Sequence, residues 1–203
     1  MKKLWEDTTY RAVMRYFVEE EGIQTNRKFD DPSMEFHQAT TGLVGESREV
    51  LKVLKQDDWT PHELIDECGD VCFYLAVLQK YLKDIEYFSN VDLSVDLMHL
   101  VAYTRKDGVV KELVEYSFKQ VHELSLDLLE FSKKVLFQQK DFYKTLYAKE
   151  YCLHAVTQIT PQTITAILNL CHFLGATPKQ ILVYNREVKL AQRYGDSFWR
   201  RDI

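Results

Sequence analysis

The sequence predicts an all-α fold, and three observations support that prediction. Apolar residues recur at helical spacing in several stretches, and each of the four prolines follows a residue that can cap a helix. No stretch shows the alternating apolar and polar pattern of a β-strand. The chain has 203 residues, of which 46% are hydrophobic, so it can bury a substantial core. We expect one all-α domain over residues 1–203.

The prolines indicate where helices begin, because the N–H group that proline lacks is unpaired at the first helical position anyway. Thr60 stands three residues before Glu63, and Thr177 stands three residues before Gln180, which is the spacing of a capping box. The residues that precede the prolines and can cap the new helices are Asp31, Thr60, Thr160 and Thr177. We therefore expect a helix to begin at each proline.

The helices themselves follow from the apolar rows. On the longest of them we expect Leu113 and Leu128 to share the buried face. Gly22, Gly175 and Gly195 are expected to end helices, because glycine adopts the left-handed conformation common at helix ends. Two helices are predicted at about 3–21 and 110–139, and apolar rows at about 43–54, 64–78, 164–174 and 181–191 mark the others. The stretch 84–108 supports no assignment.

Composition narrows the class of protein. The net charge of −5 and the pI near 5.7 disfavour a general nucleic-acid binder, which usually carries a basic patch. A nucleotide substrate stays compatible with this charge, because a metal ion can reverse the local sign. The N-terminus lacks the apolar core of a signal peptide, and no apolar run could cross a bilayer. The four cysteines have no zinc-site spacing, so we expect free thiols in a cytoplasmic protein.

Two pairs of carboxylates are the most informative feature. Glu46 and Glu49 are three residues apart on one predicted helix, and Glu67 and Asp70 are three apart on the next. A short connector favours an antiparallel hairpin, in which the four carboxylates can converge. Glu67 lies within an apolar row, where a lone ionised carboxylate costs several kcal/mol unless it is paired or binds a metal. Gly69, beside Asp70, would let another backbone or a ligand pass close to the helix.

Other interpretations of these acids remain open at this point. They can be ordinary surface charges, with Lys52 and Lys55 as their partners. A di-iron bundle uses Glu-x-x-His motifs, whereas the second pair here ends in Asp70 and neither His37 nor His62 falls at that spacing. Oxygen ligands alone favour Mg²⁺, or Mn²⁺ as a substitute, over zinc.

These residues resemble the signature of the all-α NTP pyrophosphohydrolase superfamily, which includes MazG, the dimeric dUTPases, the dCTP pyrophosphatases and phosphoribosyl-ATP pyrophosphohydrolase. The signature is ExxE, a spacer and ExxD. Here it reads Glu46-Ser47-Arg48-Glu49 and, 17 residues later, Glu67-Cys68-Gly69-Asp70. A second likeness is Asn185-Arg186-Glu187-Val188-Lys189-Leu190 followed by Arg193-Tyr194, which is similar to the end of MazG-like chains.

The resemblance implies a MazG-like four-helix core with an N-terminal helix and a helical insertion at about 84–160. It implies Mg²⁺-dependent hydrolysis of an NTP or dNTP to the nucleoside monophosphate and pyrophosphate, by a homodimer or homotetramer. Glu46, Glu49, Glu67 and Asp70 would be the metal ligands, with Glu49, and also Glu46, in the catalytic role. The substrate would be bound by Asn185, Lys189, Arg193 and His37. The candidates for stacking on the base are His37, Phe36, Trp59 and Tyr74.

Two further hypotheses stay beside this one. A catalytically silent helical module could use the same groove to bind a nucleotide or a protein, without turnover. A base-specific dUTPase or dCTPase sibling would share the metal site and differ in the base pocket. We expect no nucleic-acid or membrane partner under any of these hypotheses.

Overall fold

The computed structural model describes residues 32–83, 111–137 and 146–176, together with residues 180, 181, 184, 185 and 189. The described residues form four long helices and no strand, which confirms the all-α prediction for this part of the chain. The later described positions, from residue 180 to residue 189, are also helical. The helices are α1 (Pro32–Lys55), α2 (Pro61–Lys83), α3 (Lys111–Phe137) and α4 (Leu146–Leu174).

The first helix is the centre of the bundle. It packs most extensively against α3 and α2, while α3 also packs against α4. Gly42 of α1 faces Tyr74 of α2, and Glu46 faces Asp70, so the two helices run antiparallel. Although α3 falls in the segment expected to be an insertion, it forms one wall of the core, with Phe118 fully buried.

Two of the predicted helix starts are confirmed, since α1 begins at Pro32 and α2 at Pro61. At the second start the capping box is complete. The backbone N–H of Thr60 donates to Glu63 Oε2 over 2.7 Å, and the N–H of Glu63 donates to Thr60 Oγ1 over 3.3 Å. The Thr60 hydrogen bonds hold the pKa of the exposed Glu63 carboxyl below its usual value.

The predicted start at Thr160-Pro161 is wrong, because both residues lie inside α4. A proline within a helix removes one backbone hydrogen bond, which costs about 3 kcal/mol. Burial of Ile159 and Ile164 on either side of this point offsets that loss. The hydroxyl of Thr163 also donates to the carbonyl of Ile159 over 2.7 Å, in the same turn. Tertiary packing therefore stabilises a continuous helix across Pro161.

The predicted buried face of α3 is also partly wrong. Leu113 is 37% exposed, whereas Val114 and Phe118 are fully buried. Serines share the buried face with them, as Ser117 donates to the Leu113 carbonyl over 2.9 Å and Ser125 is fully buried. A serine can lie in a core when its hydroxyl bonds to a carbonyl one turn back, so apolar periodicity alone assigns such a face incorrectly.

Gly175 ends α4 as predicted. Its φ is +65°, and the N–H of Ala176 donates to the carbonyl of Cys171 over 2.9 Å, which is the Schellman arrangement. The thiols of Cys68, Cys72 and Cys171 are free and buried, as expected. Among the described helices, none is long and apolar enough to cross a membrane. The helix predicted at 3–21, Gly22, Gly195 and the Thr177-Pro178 start lie outside the described residues.

Candidate metal centre

Three of the four predicted carboxylates converge between α1 and α2. Glu46 on α1 and Glu67 and Asp70 on α2 each offer one oxygen, and these oxygens lie within 4.8 Å of one another. The side chains are partly buried, so each can reach a ligand while water is partly excluded. We call these three residues the carboxylate triad. The prediction that acids from adjacent helices meet is confirmed for them.

Glu49 lies outside the triad. Its Oε1 accepts from the ammonium of Lys52 over 2.5 Å, and 43% of its side chain is exposed. This is the surface ion pair that the alternative interpretation of the acids anticipated for Lys52. Glu49 is nevertheless close enough for its negative charge to raise the pKa of Glu46 and of Glu67.

The electrostatics of the triad show a shortage of positive charge. Burial, followed by the charges of Asp70 and Glu67, raises the pKa of Glu46 to about 7. Burial raises the pKa of Glu67 as well; the ammonium of Lys189 opposes that rise, and Asp66 and Asp70 add to it. A bound cation would relieve this repulsion. Three oxygen donors and no histidine within the triad suit Mg²⁺ or Mn²⁺, and do not match a di-iron site.

Two residues of the second sequence likeness reach the triad at Asp70. Asn185 donates from Nδ2 to Asp70 Oδ1 over 2.6 Å, and Lys189 donates from Nζ to Asp70 Oδ2 over 2.6 Å. Only 7% of the Lys189 side chain is exposed. Burial alone would lower the pKa of Lys189, but the hydrogen bonds to Asp70 and Asp66 outweigh it and raise that pKa.

Glycines allow these close approaches. A Cβ atom at Gly69 would lie 2.5 Å from the Cβ of Asn185, so only glycine lets Asn185 reach Asp70 along this path. The group that passes close to Gly69 is thus a side chain, not the backbone or ligand expected from the sequence. Gly42 plays the same part on α1, because a Cβ there would meet the ring of Tyr74 at 2.2 Å. The ring of Tyr74, a predicted candidate for base stacking, thus packs against the backbone of α1 at Gly42.

Sequence reasoning missed the role of Asp66. Its Oδ2 accepts from Lys189 Nζ over 2.9 Å, so Lys189 bridges two aspartates. The available signal was spacing, because Asp66 and Asp70 are four residues apart and therefore share one face of α2. Within the described part of the chain, Asp66 Oδ1 is a buried side-chain oxygen that has no hydrogen-bond partner.

The structure does not bring His37 to the triad. His37 precedes Glu46 by nine residues on α1, which corresponds to about 13 Å along a helix. Its Nδ1 bonds to Ser132 Oγ of α3 over 2.9 Å, and its ring lies edge-on to Phe137. Burial, aided by the charge of Lys133, lowers the pKa of His37. Arg193, the remaining predicted substrate residue, lies outside the described residues.

The other aromatic candidates for base stacking pack within the bundle. The ring of Phe36 is buried edge-on to Phe131, with centroids 6.3 Å apart. The indole of Trp59 packs beside Phe173, with centroids 5.7 Å apart. Their contacts identify them as packing residues in this chain.

Comparison with known proteins adds no assignment. No protein-family model matches the chain, and no curated protein or solved structure has significant similarity to it. The structure establishes an all-helical protein with four helices in its described part and a candidate metal centre at Glu46, Glu67 and Asp70.

Proposed function

We propose that this chain is a Mg²⁺-dependent pyrophosphohydrolase that converts an NTP or dNTP to the nucleoside monophosphate and pyrophosphate. The observation that carries the proposal is the convergence of Glu46, Glu67 and Asp70 from two facing helices. The presence of Asn185 and Lys189 at Asp70 adds to it, because the resemblance assigns both residues to the substrate. Without these contacts the triad would be only a group of acids.

The triad would hold the cation, with Mn²⁺ as a substitute for Mg²⁺. Its three carboxylates supply hard oxygen ligands, and the raised pKa of Glu46 reflects repulsion that a cation removes. When bound, Mg²⁺ offsets phosphate charge and lowers the pKa of coordinated water. Glu49 would be the general base, since its exposed carboxylate stands one turn from Glu46 and can accept a proton from a water at the edge of the groove.

The protein itself must supply positive charge to an anionic substrate. Its net charge is −5, and two more acidic side chains, Glu49 and Asp66, lie near the three of the triad. Lys189 is the cation that the structure brings to them, and an ammonium can donate in three directions. We propose that Lys189 contacts the phosphate tail, that Asn185 contacts the sugar or base, and that Arg193 adds a second cation.

The test is pyrophosphate release from a panel of NTPs and dNTPs, with Mg²⁺ and with excess chelator. We expect release that requires Mg²⁺ and that Glu67→Gln reduces by at least about a hundredfold, because the triad loses a charged ligand. Glu123→Gln, on an exposed part of α3, is the matched control and should keep the parent rate. Circular dichroism at 222 nm should show equal helical content in all three proteins. Parent-level turnover by Glu67→Gln would refute the metal site.

One observation favours the silent binding module as a second candidate. Lys189 already pairs with Asp66 and Asp70, so part of the acidic charge is satisfied by the protein itself. A silent module predicts no rise of Tm on adding Mg²⁺, whereas a metal-dependent enzyme predicts a rise with metal concentration. The same substrate panel distinguishes a general enzyme from a dUTPase or dCTPase sibling. Sedimentation velocity tests the expected homodimer or homotetramer.

A further inference from the structure

The ammonium of Lys189 joins two carboxylates that have different surroundings. It donates to Asp70 Oδ2 over 2.6 Å and to Asp66 Oδ2 over 2.9 Å. Asp70 belongs to the carboxylate triad, whereas Asp66 does not. The two aspartates lie four residues apart on α2, so both face the same incoming side chain.

We propose that Asp66 is the positioning residue that keeps the Lys189 ammonium beside the triad when Asp70 binds the divalent cation. The inference rests on the proposed function, because it assigns a role to Asp66 in the loaded site. It extends that function to an acidic residue that directly precedes the second motif of the resemblance and had been given no role.

A bound cation would change the contacts of Asp70. Its Oδ1 accepts from Asn185 and its Oδ2 from Lys189, and the same carboxylate offers an oxygen to the triad. A divalent cation on Asp70 would share that carboxylate with an ammonium, and two like charges at one carboxylate repel each other. The bond from Lys189 to Asp70 is therefore the contact that metal binding weakens.

Burial limits the positions that the Lys189 ammonium can occupy when it leaves Asp70. The Lys189 side chain is only 7% exposed, so leaving Asp70 for bulk water would require the residues packed around it to move. Asp66 is already in contact, and among the described residues its buried Oδ1 has no hydrogen-bond partner. An ammonium has three donors, and the two aspartate oxygens occupy two of them. A small rotation would let Lys189 give a second bond to Asp66.

The pairing of Lys189 with Asp66 would affect substrate binding. Paired with Asp66, the ammonium stays beside the triad and keeps a donor for the phosphate tail. Without Asp66, the cation on Asp70 would repel Lys189 from the groove, and the substrate would lose a charge-assisted hydrogen bond. Asp66→Asn should therefore raise KM by about tenfold and leave kcat within about twofold.

The experiment is a double-mutant cycle of Asp66→Asn and Lys189→Met, followed by thermal unfolding with excess chelator and with saturating Mg²⁺. We expect the Tm coupling between Asp66 and Lys189 to be larger with Mg²⁺, because Asp66 becomes the main partner. The control cycle is Glu115→Gln with Lys119→Met, a 2.8 Å ion pair on α3 whose coupling should not respond to Mg²⁺. If Lys189→Met does not fold, Lys189→Gln takes its place.

The outcomes separate the two proposals. A larger coupling with Mg²⁺, together with a raised KM in Asp66→Asn, supports the positioning role. A coupling that is unchanged or lost with Mg²⁺, or an unaltered KM, overturns that role while leaving the metal-dependent enzyme intact. A parent protein that neither gains stability from Mg²⁺ nor releases pyrophosphate overturns the proposed function, and the inference falls with it.

Discussion

Replacing Glu46 by glutamine is expected to stabilise the protein at pH 8 when no divalent cation is available. The Glu46 carboxylate lies among other acids, and burial together with the charges of Asp70 and Glu67 raises its pKa to about 7. Glutamine has nearly the same shape and carries no charge, so Glu46→Gln removes the repulsion and keeps the packing. The change in stability caused by Glu46→Gln therefore measures the electrostatic cost of placing the Glu46 charge in the triad.

The magnitude follows from the pKa. A change from an ordinary value of 4.5 to about 7 corresponds to roughly 3 kcal/mol between the ionised and protonated forms. Solvent screens a half-buried group, so we expect about 1–2 kcal/mol of added stability in the variant. For a chain of about 200 residues, this stabilisation raises Tm by about 2–8 °C.

The pH dependence has a defined sign. The folded protein holds the Glu46 proton more tightly than the unfolded chain does, so Glu46 lowers stability as pH rises from 4.5 through about 7. Near the lower end of this range Glu46 is protonated in the folded state, so the substitution removes no charge there. Most of the gain from Glu46→Gln should therefore be absent at pH 5.

The assay is thermal unfolding followed at 222 nm, at pH 5 and pH 8, with excess chelator. Glu123→Gln on α3 controls for the loss of an exposed glutamate and should leave Tm unchanged. Adding Mg²⁺ at pH 8 should raise Tm of the parent more than that of Glu46→Gln, because the variant has lost a ligand. A lower Tm for Glu46→Gln at pH 8, or an equal gain at both pH values, would refute the electrostatic argument.

Three further predictions test the helices α1 and α2. Gly45→Ala should raise the free energy of unfolding by about 0.5–1 kcal/mol, because α1 has open space there and alanine favours a helix. Gly69→Ala should lower the free energy of unfolding despite the same helical preference, since the new Cβ would lie 2.5 Å from Asn185. Urea unfolding measures the stability of both glycine variants, and a stabilised Gly69→Ala would contradict the close contact. Thr60→Ala should cost about 1 kcal/mol, because the backbone N–H of Glu63 loses its cap. Thr60→Ser should retain the cap, and equal Tm values for these two variants would count against the capping box.

Local rules were sufficient to predict much of the fold. Pro61 with the Thr60 cap marks the start of α2, and Gly175 marks the end of α4, because both depend on backbone groups a few residues away. The same holds for the pairing of Glu67 with Asp70, which three-residue spacing places on one helix surface. Local rules failed at Pro161, where the burial of Ile159 and Ile164 in the core of the bundle outweighs the cost of a proline inside a helix.

The composition of the site was decided by tertiary structure. Glu46 and Glu49 have the same three-residue spacing as Glu67 and Asp70, yet only Glu46 of the first pair joins the triad. Packing of α1 against α3, including the 3.1 Å contact of Ser47 with His122, sets the rotation that turns Glu46 inward and leaves Glu49 with Lys52. That rotation depends on the side chains of three helices at once, so no single stretch of sequence contains it.

The same reason applies to the residues that arrive from far along the chain. The family resemblance predicts a role for Lys189 but not its partners. Only the folded chain places the Lys189 ammonium 2.9 Å from Asp66 Oδ2 and 2.6 Å from Asp70 Oδ2. His37 shows the converse, because its place near the first motif in the sequence becomes a contact with Ser132 on another helix. By itself, the sequence determined which residues share a helix face and what chemistry they can offer. The assembly of helices decided which of those faces meet, because burial and charge pairing across helices depend on the whole bundle.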